Sequence, residues 1–280
     1  MSSTEPADPL APLASLPGVR AAVDSVRGAV DRIYGHRVMR RRSSEISAEA
    51  ALRGARGSAA LAGADWALEE LRRRSDFGPE GEPRTVGAAL RLTAEAGQLL
   101  DVWRQSPLRV LARLHLVAAG GSAPDAAVGR PRRAGETVAE DAPAPAGPQA
   151  LPPDADEVSA RLDALTALIA DGTEAPALVL AAVVHGELAT LRPFPSYNGP
   201  VARAAERVVL VGAGLDPKAV CPAEVGHAEL GRETYEKGLA DYASGTPDGM
   251  ARWIAHCGRA VELGARESTA VCEALQRGAA

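Results

Sequence analysis

Hydrophobic side chains return at helical spacing along much of this chain. Leu92, Ala96, Leu99 and Trp103 fall at i, i+4, i+7 and i+11, and Val158, Leu162, Leu165 and Ile169 do the same, so each set lines one face of a predicted helix. Both stripes are read as core. Asp154 and Glu157 resemble a capping pair in front of the second stripe, where the aspartate can accept a first-turn N–H. Residues 119–153 are rich in glycine, alanine and proline, which disfavours packing and predicts a long exposed loop with room for a flap hairpin. No internal repeat at solenoid spacing interrupts this pattern. Trp253, His256 and Cys257 sit in a predicted closing helix, where core packing explains all three.

Composition narrows the picture a little. Only 3% of the 280 residues are aromatic, so alanine, leucine and valine must supply most of the core, through close helix contacts. The length allows one large helical domain or two smaller ones, either with a substantial core. A net charge of −5 and a pI near 5.6 give no general attraction to nucleic acid, and the cluster Arg37, Arg40, Arg41 and Arg42 is read as a solvated helix end. Cys221, Cys257 and Cys272 lie far apart, with no CxxC spacing and no nearby metal-ligand pattern, as in a cytosolic protein with reduced thiols. The first residues are acidic and proline-rich, without the basic start and apolar run of a secretion signal. No stretch approaches the roughly 20 apolar residues that a membrane-spanning helix needs. The expectation is a cytoplasmic protein without membrane contact.

Candidate chemistry concentrates in residues 191–207, LRPFPSYNGPVARAAER. Pro193 and Phe194 form an apolar anchor, Asn198 and Gly199 read as a tight turn, and Pro200 opens a predicted helix that carries Arg203. A helix amino terminus attracts anions through its free N–H groups and its dipole. Glycine permits close backbone approach, asparagine donates from its side chain, and Arg203, one turn on, can reach the same anion. The bland alternative is a helix entry in which Asn-Gly supplies positive φ and Arg203 is solvated.

This segment resembles the signature of the Fic family, HPFx(D/E)GNGRxxR, whose members transfer AMP or a related phosphate-containing group onto a protein hydroxyl. Across residues 192–203 it keeps five of the nine specified positions: Pro193, Phe194, Asn198, Gly199 and Arg203. Arg192 stands where the family has its histidine base, Ser196 where it has the magnesium-binding carboxylate, Tyr197 where it has the first glycine, and Pro200 where it has the first arginine. Residues 176–188 resemble the helix that leads into the motif, with His185 seven residues before the base position. Gly129 and Arg130 resemble the turn of the flap that holds the target peptide. Ser58 to Gly63 resembles the inhibitory pattern (S/T)xxxE(G/N), with Ala62 in place of the glutamate that pairs with the second motif arginine.

The resemblance spans roughly residues 36–260 and implies an all-α, Fic-like helical bundle with a short β-hairpin flap. It divides the chain into a tail and first helix (1–35), a helical region with the altered inhibitory motif (36–105), the Fic-type domain (106–263) and a helix end with tail (264–280).

The replacements fall on the chemistry. Arg192 cannot act as a general base, because a guanidinium pKa above about 12 keeps it charged. Lost acid–base help lowers a rate by about 100-fold to 10,000-fold. Arg192 could instead grip a phosphate with its planar fork, or pair with a carboxylate such as Glu187. Ser196 offers one uncharged oxygen, which argues against magnesium, and no metal ligand is assigned. His185, on an Ala/Val-rich helix, reads as a core histidine rather than a substitute base. His227, in a loop-like segment before Glu229, reads as a cap or a surface residue.

No catalytic residue is therefore assigned, and two functions from different classes stand. One is an impaired Fic-fold protein that binds ATP or another nucleotide, a phosphorylated small molecule or a partner protein, with Ser196, Asn198, Gly199 and Arg203 as the ligand group. The other is a working transferase that relies on positioning and electrostatics. The joint loss of base, metal carboxylate, first arginine and inhibitory glutamate favours binding. Tyr197 and Pro200 could also fill the former pocket.

Overall fold

The segment Ala177–Leu191 is apolar on every side, and a helix of that kind has to be enclosed by others. The computed structural model describes residues 8–139 and 151–278. Among the described residues the chain forms thirteen α-helices: α1 (Ala11–Ala14), α2 (Val19–Gly35), α3 (Met39–Leu61), α4 (Leu68–Arg73), α5 (Gly81–Gln98), α6 (Leu100–Trp103), α7 (Pro107–Ala119), α8 (Ala155–Asp171), α9 (Ala177–Leu191), α10 (Asn198–Gly212), α11 (Ala223–Leu230), α12 (Arg232–Ala243) and α13 (Pro247–Gln276). The apolar α9 is central, packed against α8, α10, α12 and α13. One buried cluster runs from Leu10 to Leu275, and a smaller one forms under α3, α4 and α5 around Ala59, Leu71 and Val86.

The scarcity of aromatic residues is met by close helix approach. Gly57 on α3 faces α11 so tightly that a Cβ there would lie 2.6 Å from the Glu224 carbonyl oxygen, and Gly226 on α11 lies against the backbone of Ala260 on α13. Any larger residue at either position would have to push two helices apart. Among the described residues two helix caps are side-chain made: Asp154 accepts the Glu157 N–H at 2.8 Å, and Thr246 accepts the Gly249 N–H at 3.1 Å.

Several expectations meet a different outcome. The stripe from Leu92 to Trp103 is not one helix. The chain breaks at Leu99, two residues after Gly97, the weakest helix former of the segment, so Trp103 is buried from the separate short α6. No strand occurs among the described residues, so the flap is not a hairpin there: Asp125–Ala127 is a turn of 3-10 helix, followed by bends at residues 128–130 and a turn at residues 134–135. Residues 140–150 of the expected loop, and residues 1–7 of the amino-terminal tail, lie outside the described residues. The long α13 packs along α2, α3, α9, α11 and α12. No helix of the described chain is long and apolar enough to cross a membrane.

Candidate functional site

Residues 192–197 form a short loop between α9 and α10, and both of its ends bend through the left-handed region. Arg192 closes α9 at φ 47°, and Tyr197 caps α10 at φ 57°. The positive φ expected of an Asn-Gly turn is therefore carried by Tyr197, at the position where the resemblance puts a glycine, while Asn198 and Gly199 already lie in the first helical turn. Pro200 follows within that turn, where a missing N–H is tolerated. An L-residue held at such a φ costs about 1–2 kcal/mol, so surrounding contacts must hold Tyr197 in place. Its ring is buried beside the Arg84 guanidinium at 5.9 Å, and its hydroxyl lies 3.3 Å from Ser122 Oγ.

Two polar side chains of the motif, Asn198 and Arg203, are engaged within the protein. Asn198 Oδ1 accepts the Phe194 N–H and Asn198 Nδ2 donates to the Phe194 carbonyl, both at 2.8 Å, so this side chain staples the loop shut. Phe194 in turn stacks on the His115 ring of α7, with centroids 4.4 Å apart. Arg203 is 1% exposed. Its Nε donates to Ser58 Oγ and its Nη2 to the Ser58 carbonyl, each at 3.0 Å, and its Nη1 approaches the Tyr235 hydroxyl at 3.5 Å. One turn further, Arg207 makes two bonds to the Glu224 carboxylate, at 2.9 and 3.1 Å, in a buried fork-to-fork pair.

The altered inhibitory pattern thus meets the motif helix, through Ser58. Ala62 is the residue after the end of α3, its N–H still donating back to the Ser58 carbonyl at 3.3 Å, and Gly63 follows at φ 94°. Glu187, weighed as a partner for Arg192, binds Arg161 at 2.7 and 2.9 Å and accepts from the Tyr242 hydroxyl at 2.8 Å. Ser196 is half-buried; Gly199 and Pro200 are buried.

The flap segment lies on the motif loop. The Gly129 N–H donates to His115 Nδ1 at 3.0 Å, the Arg132 N–H to the Pro193 carbonyl at 2.7 Å, and the Ala139 N–H to the Pro195 carbonyl at 2.8 Å. Arg132 also reaches the Arg192 carbonyl with its Nε at 2.9 Å. Arg130 turns away and grips Glu136 with two bonds, at 2.8 and 2.6 Å. His115, which sequence spacing did not single out, therefore joins α7, the flap and the motif loop. Burial and the nearby Arg130 charge push its imidazole down to about 4.

Behind Arg203 lies a buried polar group. Glu206 Oε2 sits 2.9 Å from His185 Nδ1 and 3.0 Å from His227 Nε2, while His185 Nε2 meets the Tyr235 hydroxyl at 2.5 Å. Burial acts to raise the Glu206 carboxyl, but the two imidazoles outweigh it and hold the group below the usual carboxylate range. His185 is a partnered core histidine, and burial pushes it down despite Glu206. His227 is neither a cap nor on the surface: it lies in α11, fully buried, because that helix turns its ring toward α10 and α13.

No protein-family model matches the sequence, and no curated protein matches it either. Solved structures do. The fold is similar to that of a Fic family protein from Desulfovibrio desulfuricans G20, with a TM-score of 0.68 and 20% identity over 91% of this chain and 75% of that one. It is also similar to Fic-1 from C. elegans, with a TM-score of 0.61 and 18% identity over 90% of this chain and 71% of that one. A Fic domain containing signaling protein from Bacteroides thetaiotaomicron VPI-5482 superposes with a TM-score of 0.63 and 13% identity, over 90% of this chain and 98% of the other. The chain has the all-α Fic fold.

Proposed function

We propose that this chain is a Fic-family protein that acts by binding rather than by nucleotide transfer, with its motif helix turned to structural use. The observation that carries the reading is the engagement of Arg203 by Ser58, together with the self-stapling of Asn198. These are the two side chains on which an anion site at this helix would most depend, and each already has protein partners. Arg192, charged at every physiological pH, stands at the position of the proton acceptor. Of the ligands that the resemblance admits, a nucleotide, a phosphorylated small molecule or a partner protein, this arrangement favours the partner protein.

Thermal unfolding in the presence of ATP, ADP, UTP or CDP-choline, with and without magnesium, tests the proposal. A ligand held at 100 times its Kd stabilises its protein by about 2.7 kcal/mol. The expected result is no shift in Tm with any of the four. A shift that disappears in Arg203→Ala would overturn the reading and restore the helix terminus as an anion site.

A further inference from the structure

Four helices each bring one metal-competent side chain to a common point. His185 comes from α9, Glu206 from α10, His227 from α11 and Cys257 from α13, and one ligand atom from each lies within 4.8 Å of the other three. All four residues are 0% exposed. From this juxtaposition we infer that the chain holds a structural zinc ion, bound by His185 Nδ1, His227 Nε2, a Glu206 carboxylate oxygen and Cys257 Sγ.

The four ligand atoms span a space close in size to a zinc tetrahedron. Zinc bonds of about 2.0–2.3 Å in a tetrahedron place neighbouring ligand atoms about 3.3–3.6 Å apart. The two imidazole nitrogens lie 2.9 and 3.0 Å from Glu206 Oε2 and would open by a few tenths of an ångström, while the set as a whole, within 4.8 Å, would close by up to about an ångström. The rings are also oriented as ligands are. A zinc-bound histidine uses one nitrogen for the metal and directs the other to a partner that fixes its tautomer. Here His185 Nε2 faces the Tyr235 hydroxyl at 2.5 Å, and His227 Nδ1 faces His256 Nε2 at 3.1 Å.

A metal-free polar network accounts for only part of this arrangement. It satisfies Glu206 Oε2 and both rings, yet leaves Glu206 Oε1 buried with no hydrogen-bond partner and gives no reason for a thiol at the same point. A cation answers both. Binding would release the Cys257 thiol proton to solvent, and each imidazole would stay neutral with its proton on the nitrogen that faces Tyr235 or His256. Two negative ligands then balance the dication, so no net charge is buried. Thiolate and imidazole donors suit zinc and disfavour magnesium or calcium, and four protein ligands leave no open position. The site is thus separate from the motif loop and structural in kind, pinning α10 to α9, α11 and α13. The distance in sequence between these residues hides the set: no two ligands are close enough to form a recognisable spacing.

The test uses the full chain, purified without a polyhistidine tag. Elemental analysis is expected to find about one zinc per chain, and cobalt added to chelator-treated protein should give a thiolate-to-cobalt charge-transfer band. Cys257→Ala, a small change on α13, should abolish that band and the zinc-dependent rise in Tm. Tyr235→Phe keeps all four ligands and should weaken zinc by about 10-fold to 100-fold, the usual effect of removing a group that orients a ligand. Protein without zinc that also shows neither band nor Tm shift with added metal would overturn the inference. So would zinc retained equally by Cys257→Ala, which would mark an adventitious surface ion. If Cys257→Ala does not fold, the cobalt band of the chelator-treated native chain decides alone, because only a bound thiolate produces it.

Discussion

Arg203 and Ser58 meet across the interface of α10 and α3, the guanidinium donating both to the serine hydroxyl and to the serine carbonyl at 3.0 Å. The two residues are 145 positions apart, and both are buried. The contact gives the buried guanidinium two acceptors within the protein. Removing the hydroxyl leaves a buried charged donor short of one partner, at a cost of about 1–3 kcal/mol. Ser58→Ala is accordingly expected to lower stability by that amount in urea unfolding with an unchanged m-value. A Ser58→Ala protein as stable as the parent would mean that Arg203 finds another acceptor without loss.

Tyr197 offers a test of the strained cap. Elsewhere in a fold glycine is worse than alanine, by about 1 kcal/mol in helices. At φ 57° the order should invert. Both Tyr197→Ala and Tyr197→Gly lose the buried ring and are expected to destabilise by about 3–5 kcal/mol, the range for large aromatic truncations, with glycine the milder by about 1 kcal/mol. The ranking is read from paired denaturation curves. Alanine milder than glycine would contradict the backbone conformation at this residue.

Arg207 and Glu224 form a buried pair, so breaking one partner strands a charge. Glu224→Ala is expected to cost about 3–5 kcal/mol, and the apolar double replacement Arg207→Met with Glu224→Leu less than either single change. A double-mutant cycle by thermal unfolding checks the order. Additive losses would contradict direct pairing.

His115 gives the fold a pH dependence of defined sign. Its folded pKa of about 4 lies below the unfolded value of about 6.5, so between these pH values the unfolded chain binds more protons. The stability that the neutral ring contributes is fully present above pH 6.5 and declines as pH falls toward 4. His115→Gln retains an acceptor for the Gly129 N–H and removes the titration. Its Tm should fall less than that of the parent between pH 7 and pH 4.5. Identical pH profiles for the two proteins would sink this assignment.

Much of the fold was legible because it rests on periodicity. The stripe Val158, Leu162, Leu165 and Ile169 is buried as α8, and the aliphatic run into the motif is the central α9. The break at Leu99 was hidden because the apolar spacing of Leu92, Ala96, Leu99 and Trp103 runs through it unchanged. The candidate site was legible only as a loop and a helix start. What its residues touch depends on elements far away in sequence: Ser58 for Arg203, Arg84 for Tyr197 and His115 for Phe194. His227 was misplaced for the same reason, since α11 is only eight residues long and its burial comes from α10 and α13.

Whether the motif performs transfer is read most directly in one labelling experiment. Purified chain is incubated with radiolabelled ATP, UTP and CDP-choline, with magnesium and a cell lysate that supplies hydroxyl targets. The expected result is no labelled protein above that in a control lacking the chain. Labelled protein that depends on the chain and vanishes with Asn198→Ala would contradict the proposed function.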